Sequence, residues 1–175
     1  TADADPRSTG DEPLLIAQRT NCPVWVGADR AATGEALLQH HPECDVLVSD
    51  DGLQHYRLER DVEIAVVDGS RGIGNGLMLP AGPLREPPAR LRSVDAVLVN
   101  GGEDFRCRHV EPLAMKLAGR EFRNLLNRAH TVDASHFQRG RIHAVAGIGN
   151  PQRFFEHLEA LGVRFNAHVF PDHHR

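Results

Sequence analysis

The sequence predicts an α/β domain in which a mostly parallel sheet is flanked by helices. Short apolar runs that are typical of buried strands alternate with segments of helical character, and several of these runs end on a carboxylate or a glycine. This alternation is characteristic of parallel sheets. Ligands of such sheets bind outside the carboxyl ends of the strands, so acidic residues at those ends are the first candidates for a functional site.

The central candidate is the segment 45–55, DVLVSDDGLQH. Val46–Val48 is predicted to be a buried strand, and it is followed by Asp50, Asp51 and Gly52. Two carboxylates at a strand end suit Mg²⁺, the ion that accompanies nucleotide phosphates. An ordinary Asp-Gly turn followed by a helix cap accounts for the same residues. These residues alone leave both interpretations open.

The other predicted elements follow the same alternation. A helix is predicted to open at Asp11, with Pro13 in its first turn, so a helix N-cap is the structural alternative to any functional role of Asp11. Further strands are predicted at 23–27, 62–68, 94–99, 142–147 and 165–170, and further helices at about 29–40 and after Pro151. By domain, we expect the main α/β core at 1–100, a poorly patterned connection at 101–140 and a C-terminal α/β portion at 141–175.

The segment 69–93 is dense in glycine and proline but contains leucine and methionine side chains that can be buried. A loop of this length inside a compact domain is expected to be functional, and we predict that it is ordered. Within it, Arg85 and Glu86 lie between Pro83 and Pro87, whose restricted backbone suits the positioning of a ligand. The structural alternative is an exposed charged pair that contributes little.

Composition excludes several classes of protein. The chain has 175 residues, of which 41% are hydrophobic, and a net charge of −4, which argues against a general nucleic-acid binder. Lys116 is the single lysine, and arginines cluster at 71–92, where their forked side chains suit a local anion site. The three cysteines have no CxxC spacing, which disfavours a disulfide framework and a zinc site.

No familiar nucleotide-binding loop is present in the sequence. The segments 72–76 and 147–151 do not satisfy GxGxxG, and the Walker A pattern GxxxxGK[ST] does not occur. The glycines at 147–149 can present backbone N–H groups to an anion or serve a tight turn. His173 follows Asp172 directly, which suits a proton shuttle, although a histidine near a chain end is commonly only solvent-exposed.

Several short blocks, taken in chain order, resemble one family. They are Gly10-Asp11-Glu12-Pro13, Asp50-Asp51-Gly52-Leu53-Gln54-His55, Gly74-Asn75-Gly76, Leu79-Pro80-Ala81-Gly82-Pro83-Leu84-Arg85-Glu86, Ala146-Gly147-Ile148-Gly149-Asn150-Pro151 and Asp172-His173. This order resembles the tetraacyldisaccharide 4′-kinases, the lipid A 4′-kinases of Gram-negative bacteria. The resemblance implies a P-loop-type kinase fold, Mg²⁺, and transfer of the γ-phosphoryl of ATP to the 4′-hydroxyl of the lipid A disaccharide 1-phosphate precursor. It also implies a peripheral location at the membrane surface, on the cytoplasmic face of the inner membrane.

The resemblance assigns roles to individual residues. Asp11 and His173 correspond to the acid–histidine pair that handles the proton of the sugar hydroxyl. Asp50 and Asp51 correspond to Walker-B-type acids near Mg²⁺, and Glu86 to a further active-site acid. Substrate binding or loop support is expected of Gln54, His55, Asn75 and Arg85.

The sequence departs from the family in one respect. The family's phosphate-binding loop, with its lysine, lies upstream of the matched segment, and a C-terminal remainder follows Asp172-His173. We therefore expect an internal, incomplete fragment of such a kinase that is inactive alone, with the membrane-contacting helix outside it. Two alternatives are a DHH-type metal-dependent phosphoesterase, suggested by Asp172-His173-His174, and a non-catalytic module that binds an anion or a sugar.

Overall fold

The computed structural model describes residues 5–102, 105–106 and 110–171. The chain divides into two units, residues 1–116 and residues 117–175, and each is described by itself. The predicted organisation with boundaries at residues 100 and 140 stays a prediction.

The described residues of the first unit form three α-helices and a three-stranded parallel sheet. In chain order the elements are α1 (Pro6–Thr9), α2 (Asp11–Arg19), α3 (Arg30–His40), β1 (Ile64–Asp68), a 3₁₀ helix (Pro88–Arg92), β2 (Ala96–Asn100) and β3 (Leu113–Met115). The strand order is β1-β2-β3, and both pairings are parallel. Ala65 pairs with Val97, and Val99 pairs with Ala114.

The core of the first unit lies on one face of this sheet. Ala65, Val94, Val97 and Val99 are buried there, and Val97 is completely inaccessible. Val66, by contrast, is 61% exposed. Successive side chains of a strand point to opposite faces, so β1 buries alternate residues and not the continuous run that its apolar sequence predicts.

Two predicted strands of the first unit are wrong. Residues 23–27 and 46–49 form no strand, and Val48 is 92% exposed. A strand needs a hydrogen-bonded neighbour, and no strand pairing among the described residues includes either segment. The helix predicted nearby is confirmed: Asp29 caps α3 by accepting hydrogen bonds from the N–H groups of Ala31 and Ala32.

The second unit packs one helix against a parallel strand pair. Its elements are β4 (Phe122–Arg123), β5 (Thr131–Val132), a 3₁₀ helix (Ala134–Phe137), β6 (His143–Ala146), α4 (Pro151–Ala160) and β7 (Asn166–Val169). Strands β6 and β7 pair in parallel, whereas β4 and β5 pair antiparallel. Phe155 and Leu158 of α4 are buried with Ala144, Ala146 and Val163. Three of the four strand pairings in the described residues are thus parallel, which confirms the predicted fold class.

The segment 69–93, predicted to be an ordered loop, is ordered by its own hydrogen bonds. The N–H of Leu79 donates to the carbonyl of Leu84 at 2.8 Å, and the N–H of Gly82 donates to the carbonyl of Met78 at 3.0 Å. The 3₁₀ helix Pro88–Arg92 closes the segment. This backbone arrangement determines the direction in which the side chains of Glu86 and Arg90 project.

Candidate active site

The acidic turn places two neighbouring carboxylates in solvent. Asp50 and Asp51 are both exposed, and Asp50 Oδ1 accepts a hydrogen bond from the N–H of Asp51 at 3.1 Å. Asp51 has a φ of 50°, in the left-handed region that aspartate adopts more readily than most residues. The turn therefore presents oxygen ligands of the kind that Mg²⁺ prefers.

Two side chains of the next segment reach across to Glu86. Gln54 Nε2 donates to Glu86 Oε1 at 2.7 Å, and the Tyr56 hydroxyl donates to Glu86 Oε2 at 2.5 Å. Arg90 Nε lies 3.3 Å from the same Oε2 atom. Both carboxylate oxygens of Glu86 are thus engaged. The structure brings together Gln54 and Glu86, two predicted site residues that are 32 positions apart.

A second carboxylate, that of Glu63, forms ion pairs with both Arg60 and Arg90. Arg90 Nη2 donates to both Glu63 oxygens, at 2.8 and 2.7 Å, and Arg60 Nη2 lies 2.8 Å from Glu63 Oε1. Arg60 Nη1 donates to the carbonyls of Gly52 and Leu53 at 2.9 and 3.1 Å. These arginine and glutamate side chains are only 14–19% exposed. The backbone after the acidic turn is therefore anchored by an arginine that is itself ion-paired.

These contacts change the ionisation of the groups that make them. The Tyr56 hydroxyl, followed by Gln54 and Arg90, holds the pKa of the Glu86 carboxyl below its usual range. The same hydrogen bond raises the pKa of Tyr56. The carboxylate of Glu63 raises the pKa of Arg90. Glu86 is accordingly an ionised hydrogen-bond acceptor at neutral pH.

An open cleft of about 490 Å³ adjoins this segment at the N-terminus of α3. Its lining is Ala28, Asp29, Arg30, Ala31, Gln54, His55, Tyr56, Arg57 and Leu58. Arg57 Nη1 donates to Asp29 Oδ2 at 3.0 Å, which ties the two sides of the cleft together. The N–H of Ala32 and the Arg57 guanidinium lower the pKa of Asp29. Arg30 Nε is buried without a hydrogen bond to any described residue. The lining is thus mostly apolar, and it also contains the charged side chains of Asp29, Arg30 and Arg57.

Asn75 and Arg85 occupy different settings within the loop. Asn75 Nδ2 donates to the carbonyl of Ala81 at 2.9 Å, and its Oδ1 accepts from the N–H of Leu77 at 3.1 Å. A Cβ atom on Gly82 would lie 2.2 Å from Asn75 Oδ1, so only glycine fits this close approach. These are contacts that support the loop. Arg85 is exposed to solvent.

Of the two residues predicted to handle the proton, Asp11 lies within the described residues and His173 lies outside them. Asp11 is exposed at the first position of α2, where its Oδ1 accepts from the N–H of Glu12 at 3.1 Å. The N-cap is Gly10, with a φ of 87°, so the structural alternative of an Asp11 cap is wrong by one position. A glycine adopts this φ without the strain that a Cβ brings. Asp172 and His173 lie outside the described residues.

Mg²⁺ takes oxygen ligands, so acidic side chains are the candidates to hold it. Within 5–102, 105–106 and 110–171, no group of three or more His, Cys, Asp or Glu side chains is placed to hold a metal ion. Mg²⁺ is commonly held by only one or two carboxylates together with substrate phosphates and water. The exposed pair Asp50 and Asp51 fits that mode of binding.

Comparison with known proteins gives the family. The sequence matches the family described as Tetraacyldisaccharide-1-P 4'-kinase over residues 1–175. The chain belongs to this family. It is similar to the tetraacyldisaccharide 4'-kinase of Azoarcus sp. (strain BH72), with 54% identity over 176 residues, which cover 99% of the chain and 51% of that relative. The one from Dechloromonas aromatica (strain RCB) is 51% identical over 177 residues, covering 100% of the chain and 53% of that relative.

A solved structure of the family has the same fold. The crystal structure of the "apo" form of LpxK from Aquifex aeolicus in complex with ATP superposes with a TM-score of 0.74 at 30% identity, covering 98% of the chain and 55% of that protein. The chain spans about half the length of the tetraacyldisaccharide 4'-kinases that it matches. The resemblance inferred from the short sequence blocks is therefore confirmed at the level of family and fold.

Sequence reasoning missed much of the polar network of this kinase-family chain. The residues that it did not single out for a site are Asp29, Arg30, Tyr56, Arg57, Arg60 and Glu63. Arg90 was noted only as one of a cluster of arginines. Two signals were available: Glu63 places a charge at the start of an apolar run, and Arg90 follows Glu86 by four positions. Neither signal identifies its partner, because the partners are set by the fold.

Proposed function

We propose that the complete protein to which these residues belong transfers the γ-phosphoryl group of ATP to the 4′-hydroxyl of a tetraacylated disaccharide 1-phosphate, in lipid A biosynthesis. The observation that carries this proposal is the family match over residues 1–175. The solved LpxK in complex with ATP supports ATP as the co-substrate. Family membership favours this activity over a DHH-type phosphoesterase and over a non-catalytic anion- or sugar-binding module.

Asp50 and Asp51 are the residues that we assign to Mg²⁺. Both carboxylates are exposed on one turn, and among the described residues neither takes part in the ion pairs that engage Glu63 and Glu86. When bound, Mg²⁺ would neutralise the charge that develops on the transferred phosphoryl group. The contribution of the chain itself is to present the two carboxylates from one turn.

Proton handling is assigned to Asp11 and His173 by their family positions. Phosphoryl transfer needs a group that orients the attacking hydroxyl and accepts its proton. A histidine whose usual pKa lies near neutrality can take that proton, and an aspartate partner stabilises its charged form. Asp11 is exposed at the start of α2.

The cleft beside α3 is where we place the polar part of the lipid substrate. Arg30, Arg57 and His55 offer cationic or proton-donating groups to it, and Gln54 offers an amide. Such groups recognise sugar hydroxyls and phosphates through hydrogen bonds and charge. Asn75 and Arg85 are assigned to loop support and to substrate contact, respectively.

The membrane assignment follows from the substrate class. No helix among the described residues is long and apolar enough to cross a bilayer. A tetraacylated substrate resides in a lipid surface, so we infer peripheral contact with the cytoplasmic face of the inner membrane, where ATP is available.

The test uses the complete protein with radiolabelled ATP, Mg²⁺ and the tetraacyldisaccharide 1-phosphate in detergent micelles. We expect label to appear at the 4′ position. Asp51→Asn should lower the rate by about 100-fold or more, because asparagine tolerates the left-handed backbone but loses the charge. Asp61→Asn, at an exposed aspartate outside the proposed site, is the control and should leave the rate unchanged. Absence of labelled lipid with the unmodified protein would refute the proposal.

The 175-residue stretch by itself is proposed to be inactive, since its sequence has no Walker A lysine loop to hold the β- and γ-phosphates. The same assay on the isolated chain should yield no labelled lipid. Transfer above the level of a protein-free control would show that this inference is wrong. Binding of the lipid without transfer by the complete protein would instead support the binding-module alternative.

A further inference from the structure

We propose that Arg90 is a positioning residue of the phosphoryl-transfer site, acting through Glu86 and Glu63 to fix the segment that follows Asp50 and Asp51. This inference rests on the proposed kinase function. It assigns no chemical step to Arg90 itself. The guanidinium is not part of the lining of the cleft beside α3, and the contacts described for it are to carboxylates and a hydroxyl of this unit.

Four side chains form a row of ion pairs whose first and last members both contact residues 52–56; this row is here called the charge ring. It runs from Arg60 to Glu63, from Glu63 to Arg90, and from Arg90 to Glu86, with N–O distances of 2.8, 2.7 and 3.3 Å. The charges alternate, so the ring is neutral overall. Arg60 and Glu86, its first and last members, both contact the segment 52–56.

Arg60 and Glu86 bind the segment 52–56 through different groups. Arg60 holds the backbone, through the carbonyls of Gly52 and Leu53. Glu86 holds side chains, those of Gln54 and Tyr56. The Arg60 guanidinium carbon also lies 5.8 Å from the centre of the Tyr56 ring. Two independent anchors within five residues restrict both the position and the rotation of the turn that carries Asp50 and Asp51.

Arg90 is the member that joins the two anchors. It contacts both carboxylates of the ring, with two hydrogen bonds to Glu63 and a contact through Nε to Glu86. A guanidinium donates several hydrogen bonds in fixed directions from one plane, whereas a lysine ammonium offers a compact charge on a flexible stem. Removal of Arg90 therefore separates the anchors, and lysine at this position restores the charge but not the geometry.

Loss of Arg90 should affect the rate of the chemical step more than the binding of either substrate. A small displacement of a catalytic group lowers the rate of the chemical step strongly, even when its cause lies outside the reacting atoms. A residue that only positions such groups should thus affect kcat more than the KM of either substrate. General loss of stability has a different signature, because it reduces the amount of folded protein.

The first experiment measures kinetics on the complete protein with three variants. Arg90→Met should lower kcat by about 10- to 100-fold, with the KM values for ATP and lipid within about threefold of the unmodified protein. Arg90→Lys should recover part of that loss. Val97→Ala, a core substitution in the same unit but away from the ring, is the control for lost stability. Its kcat per folded molecule should be unchanged.

The second experiment does not depend on activity. Hydrogen–deuterium exchange of the complete protein should show faster exchange of amides in residues 50–58 for Arg90→Met than for Val97→Ala. If the unmodified protein shows no phosphoryl transfer, the proposed function fails, and this exchange experiment alone decides whether Arg90 fixes the turn. Unchanged exchange at 50–58 would overturn the inference. So would an equal loss of kcat in Arg90→Met and Val97→Ala, or a loss confined to KM.

Discussion

Replacing Glu63 with alanine removes the acceptor of two guanidinium groups that are themselves largely buried. Arg60 and Arg90 contact Glu63 at 2.7–2.8 Å, and the Glu63 side chain is 14% exposed. Hydrogen bonds to charged groups contribute about 1.5–3 kcal/mol each. Arg60 retains two backbone carbonyls and Arg90 retains Glu86, so part of this contribution survives. We expect the free energy of unfolding of the first unit to fall by about 2–4 kcal/mol.

The measurement is urea unfolding of the 175-residue chain followed by tryptophan fluorescence. Trp25 is the single tryptophan of the chain and lies in the same unit as Glu63, with its ring centre 5.0 Å from that of His40. With a urea dependence of about 2 kcal/mol per molar, the midpoint should fall by roughly 1–2 M.

The control is Glu43→Ala, which also removes a paired glutamate of the first unit. Glu43 lies 3.1 Å from His41 Nδ1, but its side chain is 69% exposed. An ion pair in solvent contributes little, so the midpoint should stay where it is in the unmodified chain. If Glu63→Ala shifted the midpoint no further than Glu43→Ala does, the reasoning from burial and charge at Glu63 would be refuted.

Two further predictions concern pH and the second unit. Because the fold lowers the pKa of Glu86, its contribution to stability is present above the unfolded pKa of about 4.3 and is lost as the pH falls through the lower folded value. The difference in urea midpoint between the chain and Glu86→Gln should therefore be constant above about pH 5 and shrink below about pH 4, and a difference that grows on acidification would contradict this. Phe155→Ala removes a buried ring whose centre lies 5.5 Å from that of Phe165, so it should cost about 3–5 kcal/mol in thermal unfolding of the second unit followed by circular dichroism. Leu126→Ala, at a fully exposed position, is its control, and equal effects of the two substitutions would contradict the assignment of this core.

Local signals in the sequence were sufficient for several elements. Asp29 precedes α3 and caps it, and Pro151 opens α4, so both helix starts can be predicted from a few neighbouring residues. The apolar run that became β2 could be recognised in the same way. The family could also be inferred, because its short blocks keep their order along the chain and order is a property of sequence alone.

Pairing between distant segments could not be predicted in this way. Val46–Val48 has the apolar character of a strand, but its prediction was wrong because a strand exists only beside a hydrogen-bonded neighbour. The same holds for burial: β1 covers Ala65 and leaves Val66 exposed, which depends on what packs against each face. The roles predicted for Asp11, Asp50, Asp51 and His173 stay predictions.

The sequence by itself determined the family, the parallel α/β class and the acidic turn, since each depends on short local patterns or on their order along the chain. Only the tertiary structure decided how Glu86 is used. Its partners Gln54 and Tyr56 are 32 and 30 positions away, and Glu63 and Arg90 are 27 positions apart. Any of the chain's 20 arginine and lysine residues could pair with a given glutamate as far as sequence shows. The choice is made by the fold, which brings two particular arginines within 3 Å of one carboxylate and shields them from water.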